Sequence, residues 1–225
     1  MVAELLLTQL RKPLRRSGAR QPEPIPAVVL IAPFLPISVA QVSKVLQAFD
    51  AQGWTSKSGS ERGPGAERAL LDAPGLLDAW SSWQSQRPTP SRAAQISWHD
   101  PYDFVATRLK QALPPDSWCL SGWLAADLIA PYVTNPPSFT CYVDREIFRT
   151  RLEDAFTTAG LRNVKSGGRI AFVEAEPHVM SLAERGPGPD DVPLADIPRI
   201  YADLRALGDR GAEAGAHLRE VSLGY

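Results

Sequence analysis

The strongest constraint on the fold comes from residues 38–71, where a helical pattern is followed directly by a hairpin pattern. Within residues 38–53 the apolar side chains recur at three- and four-residue spacing, as they do on the buried face of an amphipathic helix. These side chains are Val39, Val42, Val45, Leu46 and Phe49. Ser38 stands at the N-cap position and Gly53 where a helix ends. Two extended runs around a glycine-rich tip then predict a β-hairpin within residues 54–71.

A helix followed by a hairpin with basic residues is the order of a winged helix-turn-helix, whose helix enters the major groove of DNA. The polar face of this helix has no acidic side chain before Asp50, which suits contact with base edges and phosphates. We predict DNA contacts from the helix residues Ser38, Gln41, Ser43, Lys44 and Gln47 and from the wing residues Lys57, Arg62 and Arg68. The alternative is a surface helix of an unrelated globular domain.

The charge is distributed unevenly along the chain. Residues 1–92 contain 11 Lys and Arg against 7 Asp and Glu, whereas residues 93–225 contain 13 against 18. A basic first half is typical of a chain that binds a polyanion. The stretch 84–97 is rich in proline and serine and resembles a linker. We therefore predict a winged-helix DNA-binding domain with a basic N-terminal segment over residues 1–92, and a second domain over residues 93–225.

The second half alternates helical and extended patterns, which indicates a mixed α/β domain and an α+β fold for the chain. A short helix over residues 74–83 is expected to pack beneath the wing. The elements predicted after it are a buried helix over 118–132, a strand over 138–143, a helix over 144–160, a hairpin over 161–174, a strand over 178–182 and two final helices separated at Gly208.

A pattern near the end of the chain is similar to a known family. It consists of Tyr201-x-Asp203-Leu204, Gly208-x-Arg210-Gly211-x-Glu213-Ala214 and Leu218. This pattern resembles the C-terminal signature of AbiEi-type antitoxins from type IV toxin–antitoxin systems, and residues 120–127 resemble that family's small-residue helix. The resemblance implies repression of the chain's own promoter, neutralisation of a co-encoded nucleotidyltransferase toxin, and a second domain with a degenerate nucleotidyltransferase-like fold. It also implies a structural role for Tyr201, Asp203, Arg210 and Glu213, with Asp203 or Glu213 anchoring Arg210.

Catalytic signals are sparse. Metal-dependent nucleotidyl transfer needs a Gly-Ser turn and two nearby carboxylates, but Asp144 stands alone and Ser121-Gly122 has the reverse order. His99-Asp100 has no second His/Asp pair at a workable spacing. We therefore predict no enzymatic activity, no catalytic residues, no metal site and no cofactor. The alternatives are a nucleotidyltransferase-fold enzyme and a protein-interaction module that does not bind DNA.

The expected partners follow from the same features. One winged helix covers a short stretch of DNA, so we expect a homodimer on double-stranded DNA, at an inverted repeat in its own promoter. The acidic second domain is expected to face a protein, the co-encoded toxin. No apolar run reaches the roughly 18 to 20 residues of a spanning helix, and two cysteines are too few for a disulfide scaffold. We predict a cytoplasmic protein without membrane association.

Overall fold

The computed structural model describes residues 1–9, 23–59, 66–97, 100–186 and 191–225, and within them the fold is α+β. The first elements are α1 (Val2–Gln9), β1 (Glu23–Pro24), α2 (Val28–Ile31), α3 (Val39–Ala51), β2 (Thr55–Gly59), β3 (Ala66–Leu70) and α4 (Ala73–Ser85). They are followed by β4 (Ser91–Gln95), α5 (Pro101–Phe104), α6 (Lys110–Ala112), β5 (Trp118–Ser121), α7 (Gly122–Ile129), β6 (Phe139–Val143), α8 (Arg145–Thr150) and α9 (Leu152–Ala159). The last are β7 (Arg162–Val164), β8 (Ile170–Glu174), α10 (Pro177–Leu182), β9 (Glu184–Arg185), β10 (Pro193–Leu194), α11 (Ile197–Arg205) and α12 (Asp209–Ser222).

A three-stranded sheet with the order β1-β3-β2 lies in the first half. β2 and β3 pair antiparallel from Thr55 opposite Leu70 to Gly59 opposite Ala66, so the predicted hairpin is confirmed. β1, which precedes α2 and α3 in the chain, pairs antiparallel with the outer side of β3. The hairpin is therefore fixed to the segment before the two helices as well as to the helix that immediately precedes it.

A seven-stranded sheet with the order β7-β4-β8-β6-β5-β10-β9 forms the centre of the second half. The pairs β6–β8 and β5–β10 are parallel, and the other neighbours are antiparallel. Parallel neighbours need a crossover connection, and α8 and α9 lie on the crossover from β6 to β8.

The prediction of a linker over residues 84–97 is wrong, because this stretch contains the end of α4 and the whole of β4. β4 lies between β7 and β8 and pairs with both. The hairpin predicted over residues 161–174 is therefore wrong as well, since a strand from earlier in the chain separates its two arms. The boundary that we predicted between residues 92 and 93 falls inside β4.

Three further elements differ from the prediction. The helix predicted over 118–132 begins instead as strand β5 and becomes helical at Gly122, whose φ of +70° allows the turn. A short apolar run suits a buried strand and a buried helix equally, which explains the error. The helix over 144–160 is divided into α8 and α9, and the strand over 178–182 is the helix α10, which begins at Pro177. The strand over 138–143 and the two final helices are confirmed.

The helix α4 packs against α1 and α11, and not beneath the hairpin as predicted. Leu76, Leu77 and Trp80 are buried, whereas Trp83 is exposed. Buried apolar side chains from both halves of the chain form one cluster. The two predicted domains therefore share a core along α1, α4 and α11.

A buried ion-pair network joins α1 to α10 and α11. The Glu4 carboxylate accepts hydrogen bonds from Nε and Nη2 of Arg199 at 2.7 and 2.6 Å and lies 2.8 Å from Nε2 of His178. Burial raises the pKa of Glu4, but the Arg199 charge and the His178 hydrogen bond outweigh this effect and lower it to about 2. The side chains of Glu4, Arg199 and His178 are almost completely buried, so each of them depends on the others for its polar contacts.

Asp196 belongs to the same region and caps α11 by accepting from the backbone N–H of Arg199 at 3.1 Å. Its carboxyl also lies 2.5 Å from the Thr8 hydroxyl, which is itself 2.8 Å from the Glu4 carbonyl oxygen. Burial and the nearby Glu4 charge raise the pKa of Asp196 well above its ordinary value. The Thr8 hydroxyl donates to this carboxyl, and this bond ties α1 to the start of α11.

Among the described residues, no single helix has the length and apolar composition to cross a membrane. The pair Val28–Phe34 and Val39–Ala51 meets the criterion only when the two bent segments are taken together.

Candidate nucleic-acid interface

Two helical segments meet at a sharp angle just before the hairpin. α2 continues as a 3-10 turn to Phe34, and the chain bends by 113° between Val28–Phe34 and α3. Helix-turn-helix motifs join their two helices by a short turn at about 90–120°. The angle and the four-residue connection lie within this geometry.

The polar face of α3 is open to solvent, as the sequence predicted. Val42 and Leu46 point into the core, and Val45 and Phe49 pack at its edge. Of the predicted contact residues on this helix, Ser38, Gln41, Lys44 and Gln47 are exposed and Ser43 is half-buried. All five therefore lie at positions that solvent can reach, four of them exposed and one half-buried.

Two of these residues also build the start of α3. The Gln41 backbone N–H donates to Ser38 Oγ at 3.3 Å, and the Ser38 N–H donates to Gln41 Oε1 at 2.8 Å. This is a capping box, which satisfies two of the unpaired donors at a helix N-terminus. Because the Gln41 carbonyl oxygen is used in the cap, its NH₂ group is the part that can reach a ligand.

The residues predicted to contact DNA from the hairpin fall into three groups. Arg68 donates to both carboxylate oxygens of Asp50, from Nε at 3.1 Å and from Nη2 at 2.6 Å, and its side chain is only 12% exposed. It therefore ties the hairpin to α3, a role that sequence reasoning did not foresee. Lys57 is exposed on β2. Arg62 lies outside the described residues, as does the basic group Arg11, Lys12, Arg15, Arg16 and Arg20.

The Asp50–Arg68 pair gives a stability prediction. Burial raises the pKa of Asp50, but hydrogen bonds from Arg68 and from the Thr55 hydroxyl outweigh it, so the net pKa is lowered. Asp50→Asn removes the charge that both donors use, and we expect it to lower the free energy of unfolding by about 1–3 kcal/mol in urea denaturation. The control is Glu67→Gln, an exposed carboxylate in the same hairpin, for which we expect a change within about 0.5 kcal/mol. Equal effects of the two variants would contradict the assigned role of Asp50.

The signature residues of the C-terminal region make contacts between elements. The Tyr201 hydroxyl donates to Asp78 of α4 at 2.6 Å. Asp203 accepts from Ser121 at 2.5 Å and from the Tyr142 hydroxyl at 3.1 Å, and burial raises its pKa. These bonds join α11 to α4, β5 and β6.

The anchoring of Arg210 by Asp203 or Glu213 is not what the structure shows. Asp203 is directed at Ser121 and Tyr142, and Glu213 accepts from the Tyr132 hydroxyl at 3.4 Å. Arg210 is exposed in the first turn of α12. The angle between the last two helices is set by close packing instead, because a Cβ on Gly211 would lie only 2.1 Å from the Leu204 carbonyl oxygen.

The residues considered for nucleotidyl transfer have local structural roles. Asp144 caps α8 by accepting from the Glu146 N–H at 2.8 Å. Ser121 is completely buried and held by Asp203. Asp100 caps α5, whereas His99 lies outside the described residues. Within the described part of the chain, no three His, Cys, Asp or Glu side chains are grouped to hold a metal ion.

An exposed apolar patch lies beside α3 and was missed by the sequence analysis. It consists of Val29 and Leu30 of α2, Phe34 and Val39, whose exposed fractions lie between 46% and 62%. α2 has only four residues, so it offers no periodicity from which its open face can be read. A patch of this kind on a monomer is typical of a protein-binding surface.

Comparison with known proteins gives no family assignment. No family model matches the chain, and no curated protein and no solved structure is significantly similar to it.

Proposed function

We propose that the chain is a DNA-binding transcriptional regulator whose residues 23–71 form a winged helix-turn-helix. The observation that carries the proposal is the pairing of β1, the strand before the helix pair, with β3, the returning strand of the hairpin. This pairing fixes the hairpin beside two helices related by a bend of 113°. α3 is then the recognition helix, and its open polar face is the surface that enters the major groove.

The roles of the contact residues follow from their chemistry. Gln47 carries an exposed carboxamide, which pairs with the N6 and N7 edge of adenine. Lys44 lies one turn before it and neutralises a phosphate or reaches a guanine edge. Lys57 on the hairpin contacts the sugar-phosphate backbone. The sequence specificity therefore resides in α3, and the salt dependence resides in the lysines.

The antitoxin role is proposed from the signature between Tyr201 and Leu218. On this proposal the regulator represses its own promoter, and the acidic second half, a degenerate nucleotidyltransferase-like fold, neutralises a co-encoded toxin. A second candidate function, a protein-interaction module, is favoured by the apolar patch of Val29, Leu30, Phe34 and Val39. The two candidates differ in whether the exposed face of α3 contacts nucleic acid.

The proposal is tested by fluorescence anisotropy with the duplex upstream of the gene and with a random duplex of equal length, over a series of salt concentrations. We expect tighter binding to the upstream duplex and a linear fall of log K with log salt. Two to four phosphate contacts per protomer correspond to a slope of about −2 to −4. Equal affinity for both duplexes at every salt concentration would overturn DNA recognition and favour the protein-interaction module.

A further inference from the structure

A polar pocket of about 250 Å³ lies at the end of the large sheet, between the two halves of the chain. It is formed by the segment between α4 and β4, by the carboxyl ends of β6 and β8, and by α8 and α10. β6 and β8 are parallel neighbours. Ligands of α/β sheets bind in the crevice outside the carboxyl ends of such strands. The position of the pocket is therefore one where a binding site is expected.

The lining is rich in arginine. Four arginines and two glutamates face the pocket, namely Arg87, Arg145, Arg149, Arg199, Glu174 and Glu176. Arg199 is neutralised by the buried Glu4, and Arg87 pairs with Glu176 through two hydrogen bonds of 3.0 and 3.1 Å. The remaining two arginines share one carboxylate, Glu174, so this part of the lining carries an excess positive charge.

Glu174 holds these two arginines side by side. Arg149 donates to both of its oxygens from Nε and Nη2, each at 2.9 Å, and Arg145 donates from Nε at 2.9 Å. The Glu174 side chain is 6% exposed, whereas the side chains of Arg145 and Arg149 are 57% and 60% exposed. Arg149 alone satisfies both oxygens of the carboxylate. Among the described residues, Arg145 gives only Nε to a protein acceptor, so its terminal NH₂ groups are available to a ligand.

We propose that this pocket is a binding site for a phosphate monoester, with Arg145 and Arg149 as the anion clamp. Paired guanidinium groups held in a fixed orientation bind phosphate oxygens through parallel N–H donors. The volume is below the range of about 300–1,000 Å³ that accommodates drug-sized ligands. The site therefore takes a phosphate with at most a small organic group, such as a sugar phosphate or the terminal phosphate of a nucleic acid strand.

Isothermal titration with ribose 5-phosphate tests the site, with ribose as the probe that lacks the phosphate. We expect wild type to bind ribose 5-phosphate with a Kd below about 1 mM and to show no heat with ribose. A 5′-phosphorylated trinucleotide and its 5′-hydroxyl counterpart form the second arm. Binding of ribose 5-phosphate identifies a metabolite site, and binding of the phosphorylated trinucleotide alone identifies a nucleic acid end. Either result supports the clamp. If neither phosphate binds, the clamp is overturned.

The variant Arg145→Gln keeps the pairing of Arg149 with Glu174, so the fold is preserved and thermal melting monitors this directly. We expect this variant to bind the phosphate ligand of wild type at least tenfold more weakly. The matched control is Arg92→Gln, a partly exposed arginine of β4 paired with Glu153, which leaves the affinity unchanged. Equal affinity of wild type and Arg145→Gln would overturn the clamp, as would an equal loss in both variants.

Discussion

Replacing Glu4 with glutamine is expected to lower the free energy of unfolding by about 3–5 kcal/mol, because it removes the carboxylate that is hydrogen-bonded to the buried Arg199 charge. Both side chains are almost inaccessible to water and are joined by two hydrogen bonds of 2.7 Å or less. Glutamine keeps the volume of the side chain, so the loss is electrostatic and not caused by a cavity. Urea denaturation of wild type and variant measures it.

A surface pair and a double variant separate this effect from a general effect of losing a carboxylate. Glu153→Gln breaks the exposed ion pair with Arg92 and is expected to change the stability by less than about 1 kcal/mol. Adding Arg199→Met to Glu4→Gln removes the unpaired charge and is expected to restore part of the loss. The contrary result is a double variant that loses as much further stability as an independent disruption of the core would cost. That result would refute the Glu4–Arg199 pairing as the source of the effect.

The same pair predicts a dependence on pH. The pKa of Glu4 in the folded protein is about 2, below its ordinary value of 4.5. A carboxylate whose pKa is depressed stabilises the fold above its unfolded pKa, and this contribution is lost as the pH falls through the folded pKa. The difference in stability between wild type and Glu4→Gln is therefore expected to be constant near neutral pH and to shrink between about pH 4.5 and 2.

The double variant Lys44→Ala with Arg62→Ala is expected to abolish sequence-specific binding to the upstream duplex while the fold stays intact. Lys44 is exposed on α3, so its loss removes a cation from the proposed recognition surface at little cost in packing. Each lysine or arginine that neutralises a phosphate contributes about 0.9 to the slope of log K against log salt. We expect the residual binding to show no sequence preference and a slope smaller by about 2.

A matched variant in the second half keeps the change of net charge constant. Arg162→Ala with Lys165→Ala removes two cations from exposed positions at and just beyond β7. If binding depends on the recognition surface, this control retains the affinity and the salt slope of wild type. Unchanged affinity of the Lys44/Arg62 variant would exclude α3 as the groove helix, and an equal loss in both variants would indicate attraction by overall charge.

Local patterns were sufficient for the elements that contact only their neighbours in the chain. The α3 boundaries follow from Ser38 and Gly53, and the hairpin follows from its glycine-rich tip. The sheet order was not predictable in this way, because β4 pairs with strands about 70 to 80 residues later. Proline and serine around residues 84–97 mark the approach to a strand, and composition does not distinguish this from a linker.

In the candidate sites too, features set by the local sequence were predictable and contacts with distant parts of the chain were not. The open face of α3 was readable from periodicity, whereas the partner of Arg68 was not, because Asp50 and Arg68 are brought together only when the hairpin folds back. The arginine clamp was also missed. Arg145 and Arg149 are four residues apart on a short helix, which alone suggests a solvated face, and their orientation depends on Glu174 from another strand.

The insertion of β4 between two later strands, together with the pairing of Glu4 with a residue 195 positions away, has a consequence during protein synthesis. When the first half of the chain leaves the ribosome, β4 has neither neighbour and α1 lacks the helix that neutralises its buried carboxylate. α1 and α4 therefore reach their final packing only after α11 has been translated. A nascent chain exposes the apolar faces of α1 and α4 during this interval, so the first half completes its core only when the second half is present.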